Sequence, residues 1–181
     1  VNRNSKRMNI LSAALLIVKT DGVEKLTLEA VAKEAGISKG GLLYHFPNKH
    51  ALIKAMVEES VNDFVADIHD RVTKTTDNGR WSRAYLEATV EDVREGNKLS
   101  TALIATLFSN PELLAKQQKE YFLWQKNIEN DGIDQVRSTI VRLAADGLWF
   151  AEIFGMGNLD EELREKVIRY LKEMTSEEIS S

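Results

Sequence analysis

The sequence predicts an all-α protein of about nine helices, in which an N-terminal three-helix head with a helix-turn-helix is joined by a long helix to a C-terminal helical bundle. Three observations predict this. Apolar residues recur at three- and four-residue spacings almost throughout, and no segment alternates strictly between turn signals as a half-buried strand would. Glycine and asparagine punctuate the chain at Gly22, Gly36, Asn78-Gly79, Gly96, Asn110-Pro111, Gly132 and Gly155. Charge is divided, with eight Lys/Arg against four Asp/Glu giving residues 1–50 a net +4 and leaving −8 on the remainder of a chain that carries −4 overall. A basic end on an acidic body points to nucleic acid at that end and repulsion of phosphate elsewhere, although ordinary charge scatter gives the same count.

Taken in order, Ser5 or an adjacent polar residue caps a first helix with Met8, Leu11, Leu15 and Val18 on one face, and Asp21-Gly22 ends it. The Thr27 hydroxyl caps a helix over 28–35, without a capping box because the residue three positions on is Ala30. Gly36 ends that helix in the left-handed region, and Ser38 caps another over 39–45. Phe46-Pro47-Asn48-Lys49 breaks the pattern. A long helix from 51 to about 75 then turns Leu52, Met56, Val57, Val61, Phe64, Val65 and Ile68 inward. Further helices are predicted over 80–95, 98–108, 111–130, 134–154 and 160–174. No repeat of fixed period supports a solenoid.

Composition excludes several classes. With 181 residues, 43% apolar and 29% charged, the chain can bury a sizeable core. It has no cysteine, which removes disulfide scaffolds, thiolate nucleophiles and cysteine-based zinc sites. The longest apolar stretch, 101–108, has eight residues even with its threonines counted, where a spanning helix needs about 20, so no membrane contact is expected. No apolar signal core follows Val1-Asn2-Arg3, so no secretory peptide is expected and a cytoplasmic setting fits. His45, His50 and His69 lack the spacing of a zinc site, and no nucleophile elbow, phosphate loop or dinucleotide fingerprint is present. Acids such as Asp160-Glu161-Glu162 and Glu177-Glu178 fit helix starts and solvation better than metal binding. No metal, no cofactor and no enzymatic chemistry are expected.

Residues 27–46 read as a helix-turn-helix. Leu28, Val31 and Ala32 bury the first helix against Leu11 and Leu15, Ala35-Gly36-Ile37-Ser38 makes the turn, and Leu42 and Phe46 hold the second helix to the same core. Lys39, Gly40, Gly41, Tyr44 and His45 are left to face a major groove. Glycines at 40 and 41 each disfavour a helix by about 0.8–1 kcal/mol relative to alanine, a cost that close backbone approach to DNA explains, as does a merely loose first turn. Tyr44 and His45 offer polar groups to phosphate or base, and Lys39 and Lys49 offer point charges.

Residues 7–52, with Arg7, Ile10, Leu11, Ala14, Gly22, Thr27-Leu28, Val31-Ala32, Ala35-Gly36-Ile37-Ser38-Lys39-Gly40, Leu42, Tyr44-His45-Phe46-Pro47, Lys49 and Ala51-Leu52, resemble the DNA-binding domain of the TetR family of bacterial transcriptional regulators. The resemblance implies a homodimer that binds a palindromic operator in double-stranded DNA and releases it when a small molecule occupies the C-terminal domain. It divides the chain into a DNA-binding domain, 1–50, and a ligand-binding and dimerisation domain, 51–181. By position it implies that Thr27 and Lys49 contact phosphate, that Lys39 and Tyr44 hold the flanking backbone, and that Gly41 and His45 face bases. Ser38 and Gly40 complete the candidate DNA-binding set. Gly41 and Leu43 depart from the threonine or alanine and the aromatic frequent in the family, so base readout does not carry over there. The stretches 38–47 and 143–149 are similar to a subset containing multidrug-efflux repressors.

In the body, Trp81 and Tyr85 share one helix face, Tyr121 and Trp124 another, and Phe64, Phe108, Trp149 and Phe150 can join them. With Thr89, Gln117, Gln125, Asp146 and Glu152 nearby in pattern, such rings suit a lipophilic effector, and a flat cation in particular. The same rings at helical spacing serve equally as core. The stripe Val136, Ile140, Leu143, Gly147, Ala151 and the stripe Leu163, Val167, Tyr170, Leu171, Met174 read as a dimer seam, with Ala144 and Ala145 small enough for close approach; both can instead bury within one chain. The function expected is that of a ligand-responsive repressor. A helical sensor whose helix-turn-helix meets a protein partner, and a small-molecule enzyme, stand as alternatives.

Overall fold

Side-chain caps start the helices where the sequence places them. Thr27 Oγ1 accepts from Ala30 N and Ser38 Oγ from Gly41 N, each at 3.1 Å. Asp134 and Asp160 accept from Arg137 N and Leu163 N at 2.9 and 2.8 Å. Such a cap is worth about 1 kcal/mol to its helix. A computed structural model describes residues 3–94 and 101–176 of the chain. Among them lie nine α-helices: α1 (Arg3–Asp21), α2 (Leu28–Glu34), α3 (Lys39–His45), α4 (Lys49–Thr73), α5 (Arg80–Arg94), α6 (Thr101–Ser109), α7 (Pro111–Glu129), α8 (Gln135–Phe154) and α9 (Glu161–Met174). A single 3₁₀ turn, Val23–Lys25, separates α1 from α2. The break at Gly96, the helix start at Lys98 and the acids Glu177-Glu178 lie outside the described residues, as does the Arg3 side chain.

Two local expectations are corrected. The first helix is already formed at Arg3, so Ser5 sits inside it and caps nothing. Its buried face is Ile10, Leu11, Ala14 and Ile17, with Leu15 and Val18 partly buried, while Met8 is exposed; the stripe is rotated from the expected one because Ile10 and Ala14, four apart, take its centre. The long helix starts two residues early because Asn48 Oδ1 accepts from Ala51 N at 2.8 Å and acts as its cap.

The described chain divides into two compact units, residues 1–61 with 98–114 and residues 62–97 with 115–181, so α4 and α7 each contribute to both. The first unit buries an almost wholly aliphatic core that includes Ile10, Leu11, Leu26, Val31, Leu42, Leu52, Met56 and Leu103, with Phe46 its one buried ring. It therefore takes in more chain than the helix-turn-helix itself. Gly36, at φ +66°, makes the turn between α2 and α3, a backbone region that side-chain-bearing residues avoid. In the second unit α5 lies against α8 and both meet α9, around Ile68, Tyr85, Leu86, Trp124, Val141 and Ile168. Gly79, at φ +75°, runs so close to α9's end that a Cβ there would stand 1.8 Å from the Thr175 carbonyl oxygen. Among the described residues no helix is long and apolar enough to cross a membrane, and no cluster of metal-ligating side chains occurs.

Candidate nucleic-acid interface and effector site

Helix α3 has two unlike faces. Leu42 and Phe46 are buried in the aliphatic core of the first unit. Ser38, Lys39, Gly40, Gly41 and Tyr44 are exposed, Tyr44 by 69%, and His45 is half-buried with its ring edge-on to Tyr44 at 5.3 Å. Thr27 and Lys49 are exposed on flanking elements of the same unit. Both capping hydroxyls accept an amide proton, which leaves each O–H free to donate to a phosphate oxygen. A Cβ at Gly40 would meet nothing within 4 Å, and one at Gly41 only Ser38 Oγ at 3.3 Å. The fold thus has no need of Gly40, whereas at Gly41 a Cβ would press on the hydroxyl that caps α3.

Sequence reading missed three features of this face. Lys39 is paired with Glu29 of α2, which holds the Glu29 carboxyl below its ordinary range through the lysine hydrogen bond. Both groups are exposed, where solvent screens the pair, so a phosphate can take Glu29's place on the lysine. Arg7 stands over the Phe46 ring at 5.4 Å, and Asn9 Nδ2 donates to the Ala35 carbonyl at 2.9 Å, fixing α1 to the turn. Arg7 lies in the resembling stretch; for Glu29 and Asn9 nothing local marked the partner.

In the second unit the rings of Phe64, Tyr85, Tyr121 and Trp124 pack on one another with centroids 5.1–6.0 Å apart. Trp81 instead meets His69 edge-on at 5.6 Å, Phe108 lies exposed in the first unit, and exposed Phe150 stacks on Phe154 at 4.7 Å. The Trp149 indole N–H donates to Asp92 at 2.9 Å. Thr89 is buried, donates to the Tyr85 carbonyl at 2.8 Å, and borders a shallow recess with room for no more than about one water, lined also by Leu148, Ile168 and the Glu152–Arg164 ion pair at 3.3 Å.

Asp146 is the electrostatic centre of the ring cluster. It accepts from Tyr85 Oη at 2.5 Å, from Tyr121 Oη at 3.4 Å and from Arg142 Nη1 at 2.6 Å. Burial pushes its carboxyl above the ordinary range against the pull of those donors, and burial pushes the Tyr85 phenol well above its own. Another carboxylate, Asp131, is buried and accepts from Trp81 N, Ser82 N and Ser82 Oγ at 3.0, 2.8 and 3.0 Å, capping α5 from about fifty residues away.

The expected dimer seam splits by face. Ile140, Leu143, Gly147 and Leu163 are exposed, as are Val136 and Tyr170, while Ala144, Ala151 and Val167 are half-buried. Leu171 is buried with Ile168 against its own chain's core and leaves the seam. Apolar residues occupy two sides of α9, and only the Leu163–Tyr170 side stands outward.

A family model described as bacterial regulatory proteins, tetR family, matches residues 10–56, and one described as tetracyclin repressor-like, C-terminal domain, matches residues 79–176, more than half of the chain. The chain belongs to the TetR family. Proteins of this family are non-enzymatic transcription factors, and operator binding, an effector ligand and dimerisation are general among them. Among curated relatives, the chain is 27% identical over 127 residues to the HTH-type transcriptional repressor KstR2 of Rhodococcus jostii, covering 70% of this chain and 60% of that one. The chain spans about half the length of the curated relatives it matches, 39–60% for three of them. A TetR transcription regulator from Haloarcula marismortui is similar in structure with a TM-score of 0.70 at 21% identity, over 95% of this chain and 97% of that one. The multidrug binding protein EbrR, complexed with imidazole, matches with a TM-score of 0.59 at 20% identity, over 92% and 89%. At such identities the likeness is one of fold, and it does not single out the multidrug subset.

Proposed function

We propose that this TetR-family chain is a cytoplasmic, ligand-responsive DNA-binding transcriptional regulator, which represses as a homodimer from a palindromic operator and leaves it when a small lipophilic effector fills its C-terminal part. The observation that carries this reading is the division of α3: Leu42 and Phe46 buried, Ser38, Lys39, Gly40, Gly41 and Tyr44 presented together outward. A recognition helix reads base edges with its N-terminal residues, and positions 38–41 are polar or bare. Lys49 and the two capping hydroxyls, those of Thr27 and Ser38, supply phosphate contacts, which position the helix without specifying sequence. In this reading 1–50 hold the DNA contacts and 51–181 the ligand and dimer contacts.

The outward stripe Val136, Ile140, Leu143, Gly147 with Leu163 and Tyr170 supports a two-fold interface, and a two-fold protein matches a palindrome. Half-sites on one face of DNA lie about 34 Å apart, so a shift of a few ångströms between the two heads misfits the second. Helix α4 contributes to both units and is the connection through which ligand in the ring cluster bears on the head. By linkage, the ligand weakens operator binding only as far as it prefers the misfit state. Selection of bound sequences from random double-stranded DNA tests the reading. A palindromic consensus is expected; no enrichment at low salt contradicts it and turns attention to a protein partner.

A further inference from the structure

Four buried polar atoms of the second unit have no hydrogen-bond partner among the described residues: Gln117 Oε1, Trp124 Nε1 and Gln125 Oε1 on α7, and Arg142 Nε on α8. They do not scatter over the unit. Gln117, Tyr121, Trp124 and Gln125 fall within one face of α7 by the 3.6-residue period, and Tyr121 and Arg142 both bond to Asp146. Trp124 is almost fully buried, with its indole N–H unused. Folded proteins pair more than nine in ten of their buried polar groups. Trp124 packs on Tyr85 and Tyr121, which with Arg142 bond to Asp146, so the Trp124 and Arg142 orphans stand beside one carboxylate, with Gln117 and Gln125 one turn to either side of Tyr121 on α7, and they mark a place where something else supplies the partners.

The charges at Asp146 already cancel. Asp146 faces Arg142 at 2.6 Å and also accepts both tyrosine hydroxyls, so three donors occupy its oxygens. The Gln125 amide donates to Glu129 at 2.5 Å, which fixes its oxygen as the free acceptor. A charged head group placed at Asp146 would enter a desolvated site whose adjacent charges are already paired, the costliest kind of burial. The unused atoms are two N–H donors and two amide oxygens. We propose that the ring cluster is an effector site for an uncharged molecule carrying both a hydrogen-bond acceptor and a donor, of the amide or lactam kind, on an apolar ring body. This rests on the regulatory reading above, narrows its effector class, and replaces the flat cation expected from the sequence. Trp124 and Arg142 donate to the ligand's carbonyl, one of the two glutamine oxygens, which stand two turns apart on α7, accepts from its N–H, and the rings of Phe64, Tyr85 and Tyr121 shift to flank its body.

The test uses three probes with one ring system and different head groups: 2-naphthamide, 2-naphthoate and 2-naphthylmethylammonium. Binding to the full chain is followed by calorimetry. The amide is expected to bind at least tenfold more tightly than either charged analogue, and Trp124→Phe and the double variant Gln117→Met/Gln125→Met, with helical content unchanged, each to weaken it about threefold to tenfold, the scale of a lost hydrogen bond. Tighter binding of the ammonium or the carboxylate overturns the inference. So does no binding of the amide at millimolar concentration, or variants that bind it as well as the parent. The same preparation is assayed on selected DNA: a chain that binds DNA but not the amide loses the effector class alone, whereas one that enriches no DNA loses the regulatory reading.

Discussion

The first unit buries aliphatic side chains around one aromatic ring, whereas the second buries rings, hydroxyls and carboxylates together. Ser82, Thr89, Asp131, Ser138 and Thr175 are buried in the second; Ser60, its hydroxyl also unpartnered, is the one buried polar side chain of the first among the described residues. Apolar packing needs only complementary shape, and it suits a head that must present one surface. Polar groups in a core must each find a partner, and those that find none make the surroundings responsive to whatever supplies one. The contrast teaches that a single chain can hold a fixed reading surface and an adjustable receptor by choosing different core chemistry.

The largest expected effect breaks the second core. Asp131→Ala strands two amides and a hydroxyl, and should destabilise by about 3–5 kcal/mol at about 1–3 kcal/mol for each orphaned group. Hydrogen exchange should show protection lost at the start of α5 while α1 to α3 keep theirs; equal loss in both would deny that the units are distinct. Next, Leu42→Ala should cost about 2–5 kcal/mol in the first core and release α3 from its seat, read as lost operator binding with the α5–α8 amides still protected.

How much of this was legible in the sequence follows from range. The α2–turn–α3 segment was readable nearly to the residue, because Thr27, Gly36 and Ser38 act within one turn of themselves. The outward face of α3 was equally plain, since Leu42 and Phe46 are four apart. Asp131 was not, because its amide partners are about fifty residues distant and nothing in its own neighbourhood signals burial. The Tyr85–Asp146 and Tyr121–Asp146 bonds were hidden for the same reason, and periodicity could list the rings without saying that they fill each other's space. Leu171 misled because α9 is apolar on two sides and spacing alone does not say which one the chain keeps.

Smaller effects sharpen the comparison. Gly40→Ala should stabilise the first unit by up to about 1 kcal/mol, since alanine favours helix and the new Cβ meets nothing within 4 Å. It should nevertheless weaken or redirect operator binding; a variant that is more stable and selects the same DNA equally well would mean the bare surface is not read. In the second unit, the Tyr85 phenol is raised above its ordinary value of 10.0 chiefly by burial. A raised folded value favours the folded state below the unfolded value and loses that advantage as pH climbs from it towards the folded one. Stability should thus fall above about pH 10, by up to about 1.4 kcal/mol per pH unit for this one proton, and Tyr85→Phe should flatten the slope in alkaline denaturation curves.

The central claim is that the first unit's polar face meets DNA phosphates as a pair of heads. It is tested most directly by the salt dependence of affinity for the selected operator. Four to eight phosphate contacts per dimer predict a log–log slope of roughly −4 to −7. A slope near zero would contradict the account, since no surface that displaces counterions from DNA binds without one.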